Sequence, residues 1–145
     1  MSSSLLHVAE DFWNLRGSFK IGGIIDIGTQ ASLVRKKDGR FVFLDACSLT
    51  GSVAREVEQL TEGGKAVDAI LNLHPFHTVH VNEAHEHYPH AKLYGTARHV
   101  SLFPTLPWEA TCTEDPGLHE MFAEDFAYYT AALPALYFGL GIARD

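Results

Sequence analysis

An apolar run, Ala66-Val67-Asp68-Ala69-Ile70-Leu71, leads through Asn72 into Leu73-His74-Pro75-Phe76-His77-Thr78-Val79-His80. A short apolar run of this kind reads as a buried strand. Its histidines then fall in the loop after a strand, at the mouth of a helix. Imidazoles so placed are a common layout for metal-assisted hydrolysis. No aspartate or glutamate stands among them, which limits how far an enzymatic reading can go.

The flanking sequence frames that loop. A short helix is predicted from about Thr78 to Tyr88, closed by Pro89, with Val81, Ala84 and Tyr88 on one face and Glu83, Glu86 and His87 outward. Lys92-Leu93-Tyr94-Gly95 reads as another strand, so strand, helix and strand form a βαβ crossover and a parallel pair. Upstream, Ala31-Ser32-Leu33-Val34-Arg35 and Arg40-Phe41-Val42-Phe43-Leu44-Asp45 flank Lys36-Lys37-Asp38-Gly39. Asp-Gly accepts positive φ at little cost, which marks a hairpin. A helix is predicted from Ser52 to Thr61, stopped by Gly63-Gly64. Ser18–Ile21 and Gly23–Ile27 are β-rich and punctuated by glycine. Beyond Gly95 the pattern weakens: Thr96–His99 suggests a short helix, Phe103–Trp108 a proline-broken loop, and Leu118–Tyr129 lacks a clean period.

The length of 145 residues suits one domain with a real core. A formal net charge of −7 argues against nucleic acid as a partner, since phosphate binding needs clustered Lys and Arg. Arg35-Lys36-Lys37 is read as a solvated hairpin tip. Cys47 and Cys112 are isolated and are expected as free thiols in a reducing compartment. The N-terminus lacks a signal-peptide pattern. Ala131–Leu140, broken by Pro134, falls short of the roughly 20 apolar residues of a membrane helix. A cytoplasmic protein without membrane contact is the expectation.

The hairpin ending in Phe43-Leu44-Asp45, the helix, the apolar strand and the strand-end histidines together resemble the N-terminal half of a metallo-β-lactamase-fold protein. Tyr88-Pro89-His90-Ala91-Lys92-Leu93-Tyr94-Gly95 is similar to that family's helix, proline turn and strand after the metal loop. The resemblance covers about residues 15–100. It implies an α/β fold: a metallo-β-lactamase-like half whose mixed sheet joins an N-terminal β-meander to a βαβ unit. It further implies one domain over residues 1–145 lacking the second half of the full fold, either abbreviated or part of a longer chain. The family motif is His-x-His-x-Asp-His, with residues divided between two zinc or iron ions. Started at His74, it puts Phe76, Thr78 and Val79 on ligand positions. Ended at His80, it puts Pro75, His77, Val79 and His80 there. The aspartate is missing in both registers, which removes charge compensation and orientation from a dinuclear centre.

His74, His77 and His80 are nevertheless the candidate ligands for one zinc or iron ion, because three imidazoles plus water satisfy a tetrahedral site. The plainer reading is that they bond loop backbone or face water. His85, His87 and His90 read as surface residues, with Glu83 and His87 a modest i, i+4 pair. His99 is a weaker site candidate at the same sheet edge. Asp45 is expected to cap the loop after its strand by accepting backbone N–H bonds, and in the resembled family such an Asp supports the metal loop. Cys47 is expected to pack rather than to react.

Three functions follow. The first is a metallo-β-lactamase-like protein that has lost efficient hydrolysis. The second is a mononuclear metal-dependent hydrolase of a small-molecule ester, thioester or phosphoester. The third is a dimeric interaction or small-ligand-binding protein. A homodimer is expected because the sheet offers an open face and an edge, and the aromatic tail is broken by prolines.

Overall fold

Alternating apolar residues and tight turns build the first half of the molecule into antiparallel strands. The computed structural model describes residues 4–17, 20–21, 23–26 and 29–130. The elements are β1 (Ser4–Ala9), β2 (Phe12–Gly17), β3 (Lys20–Ile21), β4 (Ile25–Asp26), β5 (Thr29–Arg35) and β6 (Phe41–Leu44). They continue with α1 (Gly51–Leu60), β7 (Val67–Leu71), α2 (Val81–His87), β8 (Lys92–Tyr94), α3 (Ala97–Leu102) and α4 (Pro116–Phe122). Six strands form one sheet in the order β1-β2-β5-β6-β7-β8. The pairs β1–β2, β2–β5 and β5–β6 are antiparallel, and β6–β7 and β7–β8 are parallel. Strands β3 and β4 make a separate small ribbon.

The β5–β6 hairpin closes on Asp38-Gly39 as the turn chemistry requires. Gly39 takes φ 85°, Lys36 N donates to Arg40 O at 2.7 Å, and Asp38 Oδ1 accepts Arg40 N at 2.9 Å. The tip is not simply solvated. Lys36 is only 15% exposed and pairs with Asp68 on β7 at 2.6 Å, and Arg40 pairs with the same carboxylate. The hairpin is thereby locked to the parallel half of the sheet.

Helix α1 buries Val53 and Val57 against the sheet. It ends at Thr61, whose hydroxyl donates to Val57 O at 2.7 Å and accepts Gly64 N at 3.2 Å. Glu62, Gly63 and Gly64 all take positive φ and turn the chain back into β7. At Gly64 a β-carbon would lie 2.9 Å from the Tyr88 ring, so packing as well as backbone demands glycine there.

The two faces of the sheet bury different clusters. Under α1 and α2 lie Trp13, Leu15, Leu33, Phe43, Ile70 and Leu93, with Tyr88 against them. On the other face Val42, Ala69, Leu71 and Tyr94 pack beneath Leu118, Phe122 and Tyr128. The aromatic tail therefore does cover sheet, as far as Tyr128. The β8 edge is covered too: Glu109 N donates to Leu93 O at 2.8 Å and Thr113 N to Gly95 O at 3.0 Å.

The elements from β5 to β8 agree with the sequence reading, parallel crossover included. Two strands, β1 and β2, precede the ones read from sequence. Their signal was the inward alternation of Trp13 and Leu15, blurred by Asn14, which is also buried. The helix expected from Thr78 begins only at Val81, because residues before it are held in a turn by His77 N donating to His74 O at 2.9 Å. The period-free stretch holds α4, which opens with Pro116 in its first turn. Ser18, Phe19, Ile27 and the apolar run Ala131–Leu140 lie outside the described residues. Among the described residues no helix is long and apolar enough to cross a membrane.

Ile70 sits at 1% exposure in the central parallel strand. Ile70→Ala is expected to lower unfolding free energy by about 2–5 kcal/mol, measured by urea denaturation. A loss below 1 kcal/mol would mean that this strand is not at the core.

Candidate functional site

Strand β6 ends in Asp45, a non-glycine residue at φ 62°. That turn aims its carboxylate along the sheet edge at the loop leaving β7. Asp45 Oδ1 accepts Leu73 N at 2.8 Å and His74 N at 3.0 Å. The capping role expected of Asp45 is what the structure contains. Its other oxygen, Oδ2, lies 3.6 Å from His77 Nδ1. That is beyond hydrogen-bond range but close enough for electrostatic attraction if His77 is protonated.

His74 and His77 stack face to face, with centroids 4.2 Å apart and planes 19° apart. His74 Nδ1 accepts Phe76 N–H at 3.3 Å, so one of its lone pairs is used within the loop. Burial, with the neighbouring His77 charge, lowers the His74 pKa against the opposing pull of Asp45. His80 caps α2 and turns the other way: its Nδ1 lies 3.3 Å from Glu83 Oε2, and Glu83 Oε1 accepts Ser48 Oγ at 2.9 Å. His80 Nε2 is buried and has no hydrogen-bond partner. The sequence thus brings His74 and His77 together and sends His80 to a separate carboxylate. Among the described residues, no three His, Cys, Asp or Glu side chains are grouped so as to hold a metal ion. These residues do not fit the metal centre that the resemblance implies.

His99 takes a larger part than its sequence position suggested. It is fully buried on α3, and its ring bonds in both directions. Nδ1 accepts Thr96 N–H at 3.2 Å and lies 2.7 Å from Thr96 Oγ1, while Nε2 lies 3.2 Å from His77 O. With Nδ1 an acceptor, the network assigns the proton to Nε2. A neutral His99 therefore holds the histidine loop at His77, while Asp45 holds its start at Leu73 and His74. Burial lowers its pKa, against the raising effects of the His77 carbonyl and of Asp45. Beside it, Arg98 donates from Nε to Pro75 O at 3.2 Å and lies 4.9 Å over the Phe76 ring. Nothing in the sequence singled out Arg98, because its partners are more than twenty residues away.

The remaining histidines need one correction. Glu83 does not pair with His87: it serves His80 and Ser48, and His87 approaches Glu58 at 4.0 Å. His90 is exposed, as expected, and its Nε2 lies 3.1 Å from Gly64 O. Cys47 is buried, and burial together with Glu83 pushes its thiol up to about 12, consistent with packing. Cys47 and Cys112 are both free. Beneath α2 a pocket of ≈ 10 Å³, lined by Asp45, Cys47, Glu83 and Tyr88 among others, has room for about one water molecule.

Several solved metallo-β-lactamases share this architecture. The DIM-1 enzyme exposed to ceftazidime superposes with a TM-score of 0.56 at 14% identity, covering 75% of this chain and 49% of that one. The protein from Erythrobacter litoralis gives 0.56 at 17% identity, covering 79% and 51%. FIM-1 from Pseudomonas aeruginosa, in a mono-zinc form, gives 0.56 at 11%, covering 80% and 53%. The chain has the metallo-β-lactamase-like fold and spans about half the length of these structures. No protein-family model matches the sequence, and no curated protein matches it.

Two outcomes test the loop architecture. Asp45→Ala leaves two backbone donors without their acceptor and is expected to cost about 1–3 kcal/mol, with faster amide exchange at Leu73 and His74. Asp45→Asn keeps an acceptor and tolerates positive φ, so it should recover most of the loss. Equal losses in both variants would remove the capping role. For His99, the lowered folded pKa means that the unfolded state binds the proton first. Its contribution to stability is present above the ordinary imidazole pKa and is lost as pH falls through and below it. Proton NMR should show His99 titrating below the ordinary imidazole value, and titration at or above that value would contradict its burial as a neutral ring.

Proposed function

We propose that this protein uses the metallo-β-lactamase-like scaffold without efficient hydrolysis. The observation that carries the reading is the arrangement of the three histidines. His74 and His77 lie face to face, with His74 Nδ1 engaged by the Phe76 amide, and His80 is committed to Glu83. Val79 stands where the family motif has its aspartate, so the loop supplies no carboxylate to neutralise two cations or orient a water. Phe76 and Val79 are 38% and 62% exposed, giving the loop an apolar outer surface more suited to contact than to proton transfer. Two wider grooves among the described residues lie elsewhere, one between β1 and α1 and one beside β7, β8 and α4.

The second reading, a mononuclear zinc- or iron-dependent hydrolase of an ester, thioester or phosphoester, draws on one observation. His77 and Asp45 already approach at 3.6 Å, and His74 stacks on His77. A rotation of His80 away from Glu83 would be needed to complete a set of three imidazoles. FIM-1, which shares the fold, was solved with a single zinc.

Elemental analysis of protein purified without an affinity tag separates the readings. The expected result is well under one zinc or iron ion per chain. Two ions per chain would overturn the first reading. One ion per chain, lost in His77→Ala and kept in His87→Ala, would establish the second. Equal loss in both variants would indicate diffuse binding by surface imidazoles.

A further inference from the structure

Strand β1 is the outermost strand of the six-stranded sheet, paired with β2 on one side only. The opposite edge at β8 is covered by residues 108–113, whereas no such hydrogen bonds cover β1 among the described residues. Exposed edges are normally blunted by lysine, proline or inward charge. Ser4-Leu5-Leu6-His7-Val8-Ala9 contains none of these. Leu6 and Val8 are 40% and 62% exposed, an unusual presentation of apolar side chains on an open edge. On the helix-facing side Leu5, His7 and Trp13 line a groove of ≈ 360 Å³ with Glu56, Gln59 and Leu60 of α1. His7 is held there by stacking on Trp13 at 4.8 Å. Glu56 makes no ion pair among the described residues. An edge strand beside a helix, with a groove between them, is the geometry that accepts an added strand.

We propose that β1 is a dimerisation edge, at which a second copy of this chain adds its own β1 in antiparallel register centred on Leu6. Residues facing each other across an antiparallel pair share a face, so a two-fold axis must pass through a residue position. Centred on Leu6, the pairing sets Leu6 against Leu6, Ser4 against Val8 and Leu5 against His7. The exposed leucines then bury each other on one face. On the other, each His7 enters the partner's groove beside Leu5, where the Glu56 carboxylate can accept a hydrogen bond from its ring. Centring on His7 would set two imidazoles opposite each other and run the ladder into the irregular register between His7 and Ala9. The same surface serves both copies, as a two-fold interface requires. Residues 108–113 leave β8 no equivalent opening, and a peptide from another protein would lack this self-matching register.

Sedimentation velocity at micromolar concentration is expected to give a two-chain mass for the full chain. Leu6→Lys sets two lysines against each other and should weaken association by about tenfold or more, since like charges directly opposite are unfavourable in both copies. Far-UV circular dichroism should be unchanged. Val79→Lys, at a more exposed apolar position on another surface, should keep the two-chain mass. Leu6→Cys supplies a second readout, because directly opposite β-carbons lie near disulfide range. Mild oxidation should give a covalent dimer of Leu6→Cys that the parent chain, with its own two cysteines, does not give. A one-chain mass for the parent protein would overturn the proposal. So would a dimer that survives Leu6→Lys at full strength, or one in which Leu6→Cys does not cross-link.

Discussion

The carboxylate of Asp45 joins the antiparallel and parallel halves of the molecule at the histidine loop. Asp45 N donates to Leu71 O at 2.7 Å, continuing the β6–β7 ladder by one bond. Its side chain then reaches past the strand end to hold the amides of Leu73 and His74. A left-handed backbone at Asp45 makes both contacts possible, and aspartate is among the few non-glycine residues that visit that region readily. At the later end of the loop, His99 holds the carbonyl of His77. The loop is thus fixed at both ends, and the ring positions of His74 and His77 follow from that clamp.

Burial and charge act together at the far end of the sheet. Asp68 on β7 receives Lys36 and Arg40 from the β5–β6 hairpin, and Asp125, beyond α4, accepts the amide of Lys37 at 2.8 Å. Burial pulls against the charged forms, but the hydrogen bonds win. The Lys36 pKa is raised and the Asp68 pKa lowered. Asp68 therefore contributes at neutral pH, and that contribution fades as pH falls through its depressed folded value. Lys36 is 15% exposed and Asp68 29%, so the pair is worth more than a fully solvated one but remains modest. A second link runs through buried polar groups. Thr113 Oγ1 donates to Asn72 O at 3.1 Å, and the Tyr128 hydroxyl donates to Thr113 O at 3.1 Å. These bonds tie the segment after α4 to the end of β7, so the tail is part of the packed structure as far as Tyr128.

Much of the fold was legible because its signals are local. Asp38-Gly39 forces a turn, Val53 and Val57 mark a helical face, and the run ending at Leu71 is apolar at every position but Asp68. The Asp45 cap was legible for the same reason, since a carboxylate at a strand end has nearby amides to accept. The first hairpin was harder to see. Asn14 sits in β2 at 6% exposure, and a buried asparagine hides the alternation that Trp13 and Leu15 carry.

Sequence alone determined the order of elements from β5 to β8, the parallel crossover and the missing aspartate of the histidine loop, because each depends on residue type and near spacing. Tertiary structure decided where the imidazoles point. His80 turns to Glu83 because Ser48, thirty-five residues before that glutamate, fixes the carboxylate. His99 reaches the loop because β8 places α3 beside it. Lys36 leaves solvent because Asp68 lies across the sheet. Ser48–Glu83, His99–His77 and Lys36–Asp68 each join residues far apart in sequence, and their direction depends on packed geometry that no local pattern encodes.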